Sequence, residues 1–299
     1  MTALQLFAPS GVELRGPAIR LARQRLSELG FEVSVDVSVR ARHQRFAGSD
    51  DVRLAALHRI AEAAPSVAMA CRGGYGLTRL LDRIDWPLLA RSVDRGTRWV
   101  GHSDFTALQL GLLAHAGARS WHGPMAADDF GRSDADGGVD EVTRDCFAEA
   151  MSGELEAVGF RTEAGFDGLA ARGLLWGGNL SMLQSLLGTP HFPKVRGGIL
   201  FVEDVAEHPY RVERALLQLQ QSGVLARQKV VLLGQFSGWR KSLLDRGYTL
   251  RSMVAQLRSV CPVPVLTGLP FGHVPTKVSL PVGARVQLVV QGRDVLIGW

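Results

Sequence analysis

A chain of 299 residues, 46% hydrophobic and 21% charged, has room for two modest domains and an ordinary globular composition, which excludes disorder and coiled coil. The net charge of +5 comes from scattered residues such as Arg20, Arg23, Arg25, Arg40, Arg42 and Arg45, with no dense basic run. Nucleic acid is therefore not an expected partner, and the basic bias implies only a mild attraction for anionic ligands.

The opening segment MTALQLFAPSGVEL lacks a basic stretch leading into a long apolar core, so it does not read as a secretory signal. No stretch reaches the ~18 apolar residues of a membrane span. Cys71, Cys146 and Cys261 are odd in number and far apart, which gives no disulfide framework and no CxxC metal pair and fits a reducing compartment. A soluble, cytoplasmic protein with no membrane partner is expected. Along the chain, residues 4–8 read as a strand and 17–29 as a helix with Leu21, Leu26 and Leu29 on its apolar side. Residues 31–35 are a second strand. Asp50 and Asp51 open a helix through Leu54, Leu57 and Ile60, and 66–71 is a buried strand. Residues 98–102 are another strand, running into a helix over 104–115. Such alternation predicts a parallel sheet covered on both faces. The pattern weakens over 128–168, where 131–138 reads as a loop, 141–151 as one more helix and 153–170 as a linker. Further on, 179–187 begins a helix, 198–202 is a strand, 209–221 a helix with Pro209 in its first turn, 230–233 a strand and 250–260 a helix. Short strands at 263–266, 286–290 and 295–297 close the chain, the last two joined by a hairpin turn at Gln291-Gly292-Arg293-Asp294. The domains are thus 1–152 and 171–299.

Four places carry chemistry. In Trp99-Val100-Gly101-His102-Ser103-Asp104-Phe105, a strand runs into Ser103 and a helix follows. A serine on such a turn has its hydroxyl lifted out of the sheet, with the N–H groups of the next turn pointing at it. The G-x-S-x-G pattern is not met, because Phe105 stands at the second Gly, and an N-cap serine fits the same residues. Cys71-Arg72-Gly73-Gly74-Tyr75-Gly76 follows a strand and precedes a helix; it fits an oxyanion-binding loop or a plain glycine turn. Its glycine spacing breaks the dinucleotide fingerprint at the last position. Glu203-Asp204 ends a buried strand. A metal site from Glu203, Asp204, Glu207 and His208 matches no zinc spacing, so no metal is expected. His273, after Gly272, sits in a loop between apolar runs, and His122 in Trp121-His122-Gly123-Pro124-Met125 is its strongest rival.

Taken in order, these sites resemble the LD-carboxypeptidase family of serine peptidases, which includes muramoyltetrapeptide carboxypeptidases and microcin C self-immunity peptidases. The matching pieces span nearly the whole chain: Ala8-Pro9-Ser10-Gly11, Arg72 to Gly76, Gly101-His102-Ser103-Asp104, Thr106-Ala107-Leu108, His122 to Met125, Gly177-Gly178-Asn179-Leu180, Glu203-Asp204, Gly272-His273 and Leu280-Pro281-Val282-Gly283. The family often has Tyr before the nucleophile, where this chain has His102, a departure that bears on substrate fit more than on catalysis. The resemblance implies an α/β protein with an N-terminal Rossmann-like parallel-sheet domain, a C-terminal β-rich domain and the active site between them. It implies Ser103 as nucleophile, His273 as general base and Glu203 as the acid that orients it. The backbone N–H groups of Gly74 and Asp104 would form the oxyanion hole, and Gly73, Tyr75 and Asn179 are candidate substrate contacts. No cofactor is implied. The expected reaction cleaves the bond to a C-terminal D-residue, releasing D-alanine from a small peptide, a muropeptide tetrapeptide in cell-wall recycling, with a homodimer as the working form.

Three other functions remain open from the residues. An immunity-type peptidase would cleave a peptidyl-adenylate and need an aromatic platform, for which Trp176 and Trp121 are candidates, although core packing fits both. A non-catalytic ligand-binding relative would keep the fold and lack turnover. A nucleotide-dependent oxidoreductase would bind NAD(P), against the broken glycine pattern.

Overall fold

The computed structural model describes residues 2–299. In chain order the elements are β1 (Thr2–Phe7), α1 (Gly16–Glu28), β2 (Phe31–Val35), α2 (Asp50–Ala63), β3 (Val67–Ala70), α3 (Trp86–Asp94), β4 (Arg98–Gly101), α4 (Thr106–Ala116), β5 (Ser120–His122) and α5 (Glu141–Ser152). There follow β6 (Ala157–Arg161), β7 (Ala170–Asn179), α6 (Leu180–Leu186), β8 (Ile199–Val205), α7 (Pro209–Gln221), β9 (Val230–Ser237), α8 (Leu250–Val260), β10 (Val265–Thr267), β11 (Leu280–Val282), β12 (Arg285–Gln291) and β13 (Asp294–Gly298). The chain divides into two compact units. The first holds residues 2–155 with Gly188–Pro193 and Pro275–Gly283; the second holds Glu156–Leu187, Lys194–Val274 and Ala284–Trp299.

The first unit is built on a six-stranded sheet in the order β11-β5-β4-β3-β1-β2. The five strands β1 to β5 pair in parallel, and β11 adds an antiparallel edge on β5. Helix α1 buries Ala18, Ala22 and Leu26, one stripe at four-residue spacing, while Leu21 stays half exposed. Ser49 caps α2, its hydroxyl accepting from Val52 N at 3.3 Å, with Asp50 and Asp51 in the first turn where the helix dipole favours them. Helix α4 is buried on every side from Thr106 to Leu113, as an apolar sequence without a polar face requires. The strand order reverses between β1 and β3. In open α/β sheets, ligands bind beyond the carboxyl ends of the strands at such a reversal.

The second unit holds a mixed seven-stranded sheet, β10-β9-β8-β7-β12-β13-β6. Strand β7 is shared between two pairings. Residues 170–174 lie antiparallel to β12, and residues 175–179 lie parallel to β8. The sequence pattern does not reveal β7, because Gly173, Gly177 and Gly178 dilute its apolar signal. Gly177 is required by close packing, since a Cβ there would meet Phe201 O at 1.8 Å. The expected hairpin is present: β12 and β13 pair as far as Gln291 and Asp294, leaving Gly292-Arg293 as a two-residue turn. Within the expected linker, residues 157–161 form β6, which pairs with β13.

Candidate active site

In the first unit, three loops leave the carboxyl ends of adjacent strands. Ala8 to Gly11 follows β1, Arg72 to Gly76 follows β3, and His102 to Phe105 follows β4. The β4 loop differs from the expected helix start. Ser103–Phe105 is a 3₁₀ turn, and α4 begins only at Thr106. Ser103 has φ of 62°, a left-handed conformation rare outside glycine, and no side-chain hydrogen bond caps either the turn or α4. The capping role open to Ser103 from sequence is therefore not taken up. Strain of this kind costs of order 1–3 kcal/mol and persists where the surroundings enforce it.

The β3 loop supplies that enforcement. Gly73 packs directly on the serine: a Cβ on it would lie 2.7 Å from both Cβ and Oγ of Ser103 and 3.3 Å from Asp104 N. Gly73 O in turn accepts from Gly11 N at 3.0 Å, tying the β1 loop to the β3 loop. The buried Arg53 guanidinium holds both loops from below, donating to Pro9 O at 3.0 Å and Gly76 O at 2.9 Å while pairing with Asp50. No sequence signal marked Arg53, which occupies an ordinary position of α2. Tyr75 is 40% exposed at the tip of the β3 loop, against Phe46. The helix expected after this loop is not there. Two 3₁₀ turns, Leu77–Arg79 and Leu81–Arg83, intervene before α3, so no helix N-terminus follows the glycines to receive a pyrophosphate.

Asp104 is buried beside the serine. Burial pushes its carboxyl upward, opposed by the Leu77 N–H that it accepts at 3.0 Å. His102 is also buried. Its Nδ1 donates to Gly123 O at 2.9 Å, so the ring faces the interior, where the sequence had suggested an influence on substrate fit. His122, the rival of His273, is buried as well and bonds through Nδ1 to Gln109 Oε1 at 2.8 Å.

In the second unit, His273 Nδ1 and Glu203 Oε2 lie 2.8 Å apart, and Glu203 is fully buried. A carboxylate can only accept, so Nδ1 carries a proton, and in the neutral ring Nε2 is then the nitrogen with the lone pair. The loop holding His273 is pinned to β9: Gln235 N donates to Phe271 O at 2.7 Å and Ser237 Oγ to His273 O at 3.0 Å. A register shift between Val202 and Asp204 in the β8–β9 pairing interrupts strict alternation, and bulges of this kind re-aim side chains. Asn179 lies opposite Glu203 across the β7–β8 pair. Its amide donates to Glu203 Oε1 at 3.2 Å and to Asp204 Oδ1 at 2.9 Å. Asp204 also accepts from Ser181 N at 2.9 Å and Ser181 Oγ at 2.7 Å, and burial pushes its carboxyl upward. The two acids share the Asn179 amide but differ in their other partners, and it is Glu203 that meets the histidine. Of the other groups in the metal reading, His208 faces Asp245 at 3.0 Å, and among the described residues no cluster of three His, Cys, Asp or Glu is placed to hold an ion. Trp176 is fully buried with its Nε1 donating to Gln228 Oε1 at 2.9 Å, which is core packing and no platform for a base.

Residues 4–123 match the LD-carboxypeptidase N-terminal domain and residues 172–288 the LD-carboxypeptidase C-terminal domain. The chain belongs to the LD-carboxypeptidase family. It is a serine hydrolase of the carboxypeptidase type, as the sequence resemblance implied. The crystal structure of muramoyltetrapeptide carboxypeptidase from Oxalobacter formigenes is 42% identical with a TM-score of 0.88, covering 99% of this chain and 98% of that one. The "Probable murein peptide carboxypeptidase" of Bacillus subtilis is 32% identical over 274 residues, 91% of this chain and 84% of the relative. A structure of the microcin C7 self-immunity protein MccF in complex with aspartyl sulfamoyl adenosine shares the fold, with a TM-score of 0.86 at 19% identity over 100% of this chain and 96% of that one. No described helix of this LD-carboxypeptidase is long and apolar enough to cross a membrane.

Proposed function

We propose that this LD-carboxypeptidase releases D-alanine from muropeptide tetrapeptides through a Ser103-His273-Glu203 relay. The observation that carries the reading is the His273–Glu203 pair at 2.8 Å, whose geometry leaves Nε2 as the basic nitrogen. A serine hydroxyl is a poor nucleophile until a base takes its proton. In the proposed reaction, Ser103 Oγ gives its proton to His273 Nε2 and attacks the carbonyl carbon before the terminal D-residue. The N–H groups of Gly74 and Asp104 bind the oxyanion, each donor worth about 3–4 kcal/mol in the transition state. The imidazolium, held by Glu203, then protonates the leaving amine of D-alanine, and water hydrolyses the acyl-serine by the same route in reverse. Gly73, Tyr75 and Asn179 are the proposed neighbours of the peptide. The left-handed Ser103 and the glycine pressed against its hydroxyl support the nucleophile assignment, since strain concentrates at reacting groups. Three free cysteines support a reducing, cytoplasmic setting, in which the peptides are imported before cleavage. A homodimer is proposed on the family resemblance.

The test is a mass-spectrometric assay with a tetrapeptide ending in D-alanine beside the same peptide ending in L-alanine. Release of D-alanine alone, abolished in Ser103→Ala and reduced less by Glu203→Gln than by His273→Ala, is the expected result. Turnover retained by Ser103→Ala refutes the relay, and cleavage of a peptidyl-adenylate with no release from either peptide refutes the muropeptide assignment.

A further inference from the structure

Consecutive strand residues point to opposite faces, yet Glu203 and Asp204 both reach the Asn179 amide. The Asn179 side chain is held in one orientation from both of its ends. Its Oδ1 accepts from Met182 N at 3.2 Å, capping α6, and its two amide hydrogens go one to each acid. The position of the Nδ2 group is set from the far side by Asp204, a carboxylate with four donors: Asn179 Nδ2, Val205 N at 2.8 Å, and the N and Oγ of Ser181. Asp204 is 4% exposed and touches His273 through none of these bonds.

We infer that Asp204 is a positioning residue of the hydrolytic relay, acting through Asn179 to fix the Glu203 carboxylate; this rests on the Ser103-His273-Glu203 reading. The chain of contacts has a definite logic. Asp204 anchors the amide, the amide occupies Oε1 of Glu203, and Oε2 is thereby left for His273 Nδ1 at 2.8 Å. Without that anchor Glu203 can rotate, and either oxygen, or neither, meets the histidine. Asp204 also adds a second negative charge beside the relay, which favours the imidazolium form of the base.

An asparagine at 204 cannot reproduce the arrangement. Its NH₂ must face either the Ser181 N–H or the Val205 N–H and Asn179 amide, a donor against a donor in both rotamers. For Asp204→Asn we expect kcat to fall about tenfold or more, equivalent to at least about 1.4 kcal/mol of barrier. KM is expected to move less than kcat because, of the proposed neighbours of the peptide, Asp204 bonds only to Asn179, and not to Gly73 or Tyr75. The acidic limb of the kcat/KM profile, which reports the base in the free enzyme, moves to lower pH. A merely structural role would lower stability without moving that limb. Ser181→Ala removes one donor and keeps the carboxylate charge, so it is expected to lower kcat less and leave the limb in place.

The experiment measures D-alanine release against pH for the full chain, for Asp204→Asn and Ser181→Ala, and for Ser103→Ala, with thermal melts to establish folding. A folded Asp204→Asn with wild-type kcat and an unmoved acidic limb, beside an inactive Ser103→Ala, overturns the positioning role alone. Activity surviving in Ser103→Ala overturns the relay itself, a different failure. Should Asp204→Asn not fold, Ser181→Ala decides, and an unchanged kcat in that variant overturns the inference.

Discussion

Gly73→Ala is a one-carbon perturbation whose effect can be worked from the structure. The added Cβ would sit 2.7 Å from both Cβ and Oγ of Ser103, where ordinary contact begins at 3.4 Å. Either the serine or the β3 loop must recede by about 0.7 Å. The serine is held in its left-handed turn and the loop is held by Gly11 and Arg53, so neither yields freely. Overpacking of this kind costs about 1–3 kcal/mol of stability. A misplacement approaching 1 Å at a reacting group costs about 100-fold in rate, or about 2.7 kcal/mol of barrier. Gly16→Ala is the control, since nothing lies within 4 Å of its Cβ and it stands in the first turn of α1. The expected result is a kcat for D-alanine release about 100-fold below wild type in Gly73→Ala, with a melting midpoint lowered by a few degrees, and no loss in Gly16→Ala. A Gly73→Ala protein with wild-type kcat and midpoint would refute the claim that this backbone presses on the nucleophile.

Two further outcomes are expected. Lys277→Met leaves the Asp129 carboxylate, 2% exposed and bonded to Met125 N at 2.8 Å, with only Arg132 at 3.6 Å as a cation; urea unfolding should show a loss of up to about 3 kcal/mol, and Lys277→Met with Asp129→Asn should recover much of it. The His115 imidazole, bonded to His191 at 2.9 Å and stacked on Trp86 but exposed on its outer side, is held below the usual histidine range, by partial desolvation first and by His191 second. The unfolded chain therefore binds this proton more readily, so the contribution of His115 is present above about pH 6.5 and is lost as pH falls below it. His115→Gln should reduce the drop in urea midpoint between pH 7.5 and 5.5, and an unchanged drop would refute the assignment.

The parallel sheet of the first unit was legible because β1 to β4 are short apolar runs separated by helical periodicity. Strands β5 and β11 have three residues each, too few for any alternation to register. Helix α3 carries a local signal in Asp85, which caps Leu88 N at 2.9 Å just before Trp86-Pro87. The turns after Gly76 differ from the helix the sequence suggests because Leu77, Thr78 and Arg79 are compatible with either state. The serine turn could be read locally, since strand, serine and helix are contiguous. The His273–Glu203 pair could not, because 70 residues separate its members and only resemblance joined them. The sequence suggests Asn179 only as a neighbour of the peptide; its bonds to both acids depend on the pairing of β7 with β8. Local pattern conveys which turns exist, and tertiary pairing decides which side chains share them.

The placement of β11 has a consequence for how the protein is made. The first unit takes its sixth strand from Leu280–Val282 and the Asp129 partner from Lys277, although most of that unit is complete by residue 155. Domains commonly fold as units while the ribosome is still at work, N-terminal first, at about 5–20 residues per second. Here the edge of β5 stays unpaired and the Asp129 carboxylate stays without its lysine until residues 277–282 have emerged. A nascent chain stalled after residue 155 should carry an open sheet edge and bind holdase chaperones, and release past residue 283 is the event that closes it.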